Sequence, residues 1–99
     1  MVLTDVFDKA VTEEEYIELL ESERKSYAWT LVKYGDSTNA QAKEIAESFY
    51  TYEPISDEHR GLVFHEEAWH WAMIRIKGEQ YWLSYPELLE PSQDYNDRA

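Results

Sequence analysis

LVFHEEAWHWAMIRIKGEQYWLSY, residues 62–85, is the stretch whose reading decides the fold class. Its apolar residues fit a period of two. Gly78-Glu79 suits a two-residue type II′ hairpin loop, which takes glycine at its first position. That register pairs Ile76 with Tyr81, Ile74 with Leu83, and Ala72 with Tyr85. All six are apolar or aromatic and share one face. The other face carries Lys77 opposite Gln80, Arg75 opposite Trp82, and Met73 opposite Ser84. A slip of one residue would mix the faces, so the clean partition argues for the register. An earlier strand at about 62–65 pairs in this reading with 68–72 across Glu66-Glu67, where the turn chemistry is poor.

The sequence before this stretch is helical. Thr12-Glu13-Glu14-Glu15 is a capping-box pattern, with Thr12 as N-cap and Glu15 reaching back to its amide. Tyr16, Leu20, Tyr27, Leu31 and Tyr34 then fall in one arc at helical spacing, with Ile17 and Ala28 beside them. Gly35 stands where a glycine stop belongs, so the spacing predicts a helix over about 12–34. Trp29 lies on the polar side with Lys25 four residues before it, a spacing that allows stacking. A second helix, about 38–51, carries the stripe Ala42, Ile45, Ala46, Phe49 and Tyr50. The short connection predicts an antiparallel pair. Residues 53–61 read as a loop, and Val2, Leu3, Val6, Phe7 and Val11 as a short helix or an irregular cap on the core.

After the hairpin, Pro86-Glu-Leu-Leu-Glu-Pro91 predicts one helical turn with proline at its first position. The expected fold is therefore α+β: two antiparallel helices on a two- to three-stranded antiparallel meander, with a short C-terminal helical turn. Residues 1–91 form the single domain of this reading, and 92–99 a solvated tail. A chain of 99 residues fits one domain.

Charge narrows the function classes. Asp and Glu number 21 against 9 Lys and Arg, a net of −12. Such a surface repels phosphate backbones and anionic lipid, so neither nucleic-acid binding nor membrane binding is expected. It attracts a basic protein, or serves only solubility. The chain has no cysteine, which removes disulfides, thiol nucleophiles and Cys-ligated zinc. Its start lacks the basic region and apolar run of a secretory signal. No apolar run approaches the ~20 residues needed to span a bilayer. The expected location is cytoplasmic.

Two constellations carry chemistry. In His65-Glu66-Glu67-Ala68-Trp69-His70 the histidines are five apart, one more than the zinc-protease pattern requires. Only a tight turn at Glu66-Glu67 would bring His65, Glu67 and His70 together as a metal or hydrolytic site. His59 could join from the loop. The bland alternative is one histidine near the core and one at the surface.

The other constellation is the hairpin's second face, with Trp69, Trp71, Met73, Arg75 and Trp82. Exposed, it is a binding surface of the kind that tryptophan and arginine anchor. Covered, it is buried by the chain's own segments or by a second copy, or the helices pack on this face instead. There is no glycine-rich phosphate loop, nucleophile elbow or EF-hand pattern, and no cofactor is expected. The preferred reading is a non-enzymatic module for protein binding or self-association through the tryptophan face. Its partner is a second copy or a basic protein. The alternatives are the His/Glu site and a small-ligand domain with an aromatic pocket.

Overall fold

The computed structural model describes residues 12–98. The apolar positions at 2, 3, 6, 7 and 11 lie outside the described residues. Among the described residues five α-helices follow in order: α1 Glu13–Gly35, α2 Asn39–Phe49, α3 Ala68–Lys77, α4 Tyr81–Ser84 and α5 Gln93–Asp97. Two 3-10 turns, Leu62–His65 and Pro86–Leu89, sit between them. No strand occurs among the described residues, so the α+β expectation is corrected to an all-helical fold.

The correction falls on residues 62–85, and the reason is packing. A strand puts Trp69 and Met73 on the face opposite Ala72 and Ile76. A helix gathers all four at i, i+3, i+4 and i+7 on one side. Trp69, Ala72 and Met73 are each 1% exposed or less, and Ile76 packs against the core beside them. Burying one tryptophan withdraws about 150–250 Å² from water, roughly 4–6 kcal/mol at ~25 cal/mol per Å². Strand propensity spans only ~1 kcal/mol across all residue types. Burial therefore outweighs the local preference of Trp, Ile and Tyr for strands. Gly78 is not a hairpin residue. It ends α3 with φ of 104° and returns its N–H to the Ile74 carbonyl at 2.8 Å. Gln80, at φ 61°, completes the turn into α4. Arg75 and Lys77 lie in the last turn of α3, where cations suit the helix dipole.

The first helix begins with the capping box that its sequence predicts. Thr12 Oγ1 accepts from the Glu15 N–H at 3.0 Å, and Glu15 Oε1 accepts from the Thr12 N–H at 2.9 Å. A second capping box joins Thr38 and Gln41 at the start of α2. The stop differs from the prediction by one residue. Asp36, at φ 62°, is the left-handed position, and its N–H bonds the Leu31 carbonyl. Gly35 stays helical for another reason: a Cβ there would stand 3.0 Å from Ile76 Cγ1 on α3.

α1 packs against both α2 and α3. The chain reverses after Asp36, and the far end of α2 returns to α1, where Arg24 Nε donates to the Tyr50 carbonyl at 2.8 Å. Two apolar clusters result. The first joins Tyr16, Leu20, Tyr27 and Leu31 of α1 to Ala42 and Ala46 of α2, Tyr50, Phe64, and Ala68 and Ala72 of α3. Its four alanines are at most 1% exposed, so the helices approach closely there. The second cluster is Trp69, Met73, Tyr81 and Tyr95, flanked by Trp29, Tyr34 and Leu88. This explains the tryptophan on the polar side of α1. Trp29 meets Tyr34 and Tyr95 at 6.1 and 6.0 Å between ring centroids. Its cations are Lys33 and Arg98, not Lys25.

The stretch read as a solvated tail is docked. Ser92 caps α5 through the Tyr95 N–H, and Tyr95 is buried against Trp69 at 5.4 Å. The rest of α5 faces solvent. The loop before α3 is clasped to the start of α1. Tyr16 Oη accepts from the Glu53 N–H at 2.8 Å, and Glu53 accepts from the Gly61 N–H at 2.7 Å. Arg60 lies over the Tyr16 ring, 3.8 Å from its centroid, while its Nη2 pairs with Glu13 at 2.7 Å. Glu13 also accepts from the Tyr52 hydroxyl.

Candidate functional site

The five residues expected on one tryptophan face are dispersed by the helix. Trp69 and Met73 belong to the second cluster and are buried. Trp71 points toward the first cluster, packs on Phe49 at 5.7 Å and spends its indole N–H on the Val63 carbonyl. Arg75 is exposed and lines a cleft with Tyr27, Glu44 and Phe49. Trp82 is half-exposed and lines a cleft with Trp69. The expected continuous face is not formed.

The His/Glu triad is not assembled either. His65 ends a 3-10 turn, Glu67 is the residue before α3, and His70 is the third residue of it. Among the described residues, no three His, Cys, Asp or Glu side chains stand close enough to hold a metal ion.

Parts of both constellations nevertheless meet. A cleft of about 340 Å³ is walled by Glu66, Glu67, Trp69, His70, Trp82, Leu89 and Pro91. Three local causes build it. Glu66 is extended and Glu67 begins the helix without a side-chain cap bond, and both are exposed residues that line the cleft. The Gly78–Gln80 turn folds α4 back so that Trp82 stacks on His70, 5.9 Å between centroids at 22°. The 3-10 turn Pro86–Leu89, packed against α4, carries Leu89 to the opposite lip. Trp69 is locked in the floor by its indole N–H, which donates to the Leu88 carbonyl at 2.8 Å.

His70 Nδ1 lies 3.1 Å from the Tyr81 hydroxyl. Burial, and next the Glu66 charge, push that hydroxyl above the ordinary tyrosine range. The walls thus hold two carboxylates, aromatic rings and a histidine, with no Lys or Arg among the described residues that line them. Such a set attracts cations and stacks planar groups. Two further clefts include their own cations: Arg75 in one, and Arg24, Lys25 and Lys43 in the other.

Sequence reasoning found Glu67, Trp69, His70 and Trp82 but split them between two sites. It missed Leu89, Pro91 and the Tyr81 partner. The signal for Tyr81 was present: read as a helix, 68–77 followed by Gly78 brings the next turn back over His70. No helix among the described residues is long and apolar enough to cross a membrane. Comparison with known protein families, with curated proteins and with solved structures finds no match to this chain.

Proposed function

We propose that this chain is a non-enzymatic interaction module that binds a basic protein, with the α3–α4 cleft and its rim as the contact surface. The observation that carries the reading is the cleft's composition among the described residues: aromatic walls and two carboxylates without a cation, on a chain of net −12. Leu89 on its wall is 56% exposed, and Leu83, the residue after Trp82 in the chain, 71%. Apolar and aromatic residues inside a charged rim are the anatomy of a protein contact. Two copies of the chain repel each other at long range, which favours a basic partner over self-association. A cysteine-free chain suits any redox compartment, and a cytoplasmic setting accompanies this reading.

The test compares the immobilised chain with its Leu83→Asp/Leu89→Asp variant against lysate of the native host. The wild type should retain a basic protein and release it near 1 M salt, where the screening length is ~3 Å. The variant should retain none. Identical retention by both, or a salt-resistant dimer of the chain by sedimentation with no partner, would reject the proposal.

A further inference from the structure

The protein already fills such a combination of groups from within, and the side chain it uses is arginine. The Arg60 guanidinium covers the Tyr16 ring and pairs with Glu13 at the same time. Arg98 supplies the aromatic part of that combination, 4.3 Å from the Tyr95 ring centroid and 5.9 Å from that of Trp29. The cleft beside α3 presents the counterparts, with no cation among the described residues that line it: the indole of Trp82, stacked on His70, and the carboxylates of Glu66 and Glu67.

Resting on the reading above, we infer that this cleft is an arginine pocket, filled by an arginine side chain of the basic partner. A guanidinium is planar, stacks on aromatic faces and pairs with carboxylates through a fork of N–H donors. The cleft supplies both kinds of contact at one place. Leu89 and Pro91 at the lip cover the methylene stem, as apolar surfaces do for long cationic side chains. Lysine suits the site less, because its ammonium is compact, strongly hydrated and unable to stack in plane. The cleft's volume of about 340 Å³ is ample for one such side chain.

The experiment is a titration of the full chain with the peptide acetyl-Gly-Arg-Gly-amide, followed by the indole N–H signals in two-dimensional NMR. The Trp82 and Trp69 signals should move, and the other two tryptophans should not. A citrulline peptide, the neutral isostere, should bind at least about tenfold more weakly, a difference of ~1.4 kcal/mol. A lysine peptide should also bind more weakly. Glu66→Gln/Glu67→Gln should lose roughly tenfold in affinity for the arginine peptide. Both glutamates are exposed, and circular dichroism should show the variant folded.

No indole shift, equal binding of the citrulline or lysine peptide, or an unaffected double variant would overturn the arginine pocket. Free arginine binding more tightly than the peptide would also overturn it, in favour of a small guanidinium compound. If the double variant still retains the basic partner with full affinity, the pocket assignment fails and the interaction module stands. If the arginine peptide binds but the wild type retains no partner, the module reading fails instead.

Discussion

Gly35 and Ile76 meet where α1 crosses α3, and two opposing effects act at that point. Glycine inside a helix costs about 1 kcal/mol relative to alanine, so Gly35→Ala gains from propensity. The added methyl would press on Ile76 Cγ1 at 3.0 Å and Cδ1 at 3.2 Å. Overpacking of this kind costs about 1–3 kcal/mol, so crowding wins and Gly35→Ala should destabilise by ~1 kcal/mol net. With Ile76→Ala in place the obstacle is gone, and Gly35→Ala should then stabilise. Denaturant titration of the four species in that cycle reads the reversal of sign. Glu23 offers a pH test at the same scale. Its carboxyl is half-buried and accepts from the Ala68 N–H at the start of α3. Burial dominates and pushes its pKa above 4.5, against the lowering effect of that hydrogen bond. A raised folded-state value means that the stabilising contribution is full below 4.5 and is lost as pH rises through the higher folded value. Glu23→Gln keeps an acceptor oxygen and removes the buried charge. It should melt higher than wild type at pH 7, with the gap closing as pH falls toward 4. Glu13 acts in the opposite sense. Its hydrogen bonds to Tyr52 and Arg60 hold its carboxyl below the ordinary value, so its contribution is present above 4.5 and lost as pH falls.

At the scale of elements, helix starts were legible and the state of residues 62–85 was not. Thr12 with Glu15 announces α1 because capping chemistry is local and needs no tertiary partner. The α3 stretch carries two periodicities at once. Four residues, 74–77, alternate apolar and charged, while Trp69, Ala72, Met73 and Ile76 repeat at helical spacing. Which pattern prevails depends on what α1 offers to pack against, and that information lies some forty residues earlier. The site suffered from the same ambiguity. Four of its residues were named, but their grouping followed a hairpin that packing does not favour. Residues 92–98 show the converse case: a polar, charged segment held by one buried ring. Tyr95 sits between Trp29 and Trp69. Tyr95→Ala should cost about 3 kcal/mol, the scale of a large buried aromatic cut to alanine. The melting temperature should fall by roughly 12 °C or more, at 4–8 °C per kcal/mol for a chain of this size.

The whole molecule carries net −12, and its repulsion must be set against its ion pairs. Lys33–Asp94 and Lys43–Glu47 are exposed, and such pairs contribute about 0–1 kcal/mol each. Long-range repulsion among the unbalanced acids should exceed them. Raising salt from about 0.01 M to about 0.15 M cuts the screening length from ~30 Å to ~8 Å. The melting temperature of the free chain should therefore rise over that range, while affinity for a basic partner falls. A chain held together chiefly by ion pairs would melt lower instead. The two clusters divide the molecule optically as well as structurally. Trp29, Trp69 and Trp82 belong to or flank the second cluster, and Trp71 alone borders the first. Indole emission therefore reports mainly on the C-terminal part of the chain, while far-ultraviolet dichroism is weighted toward the long α1. Ile76 touches both clusters. Unfolding curves from the two spectroscopies should superimpose in the native chain, because that side chain couples the clusters. The molecule carries its fluorescent label at the end where the cleft lies.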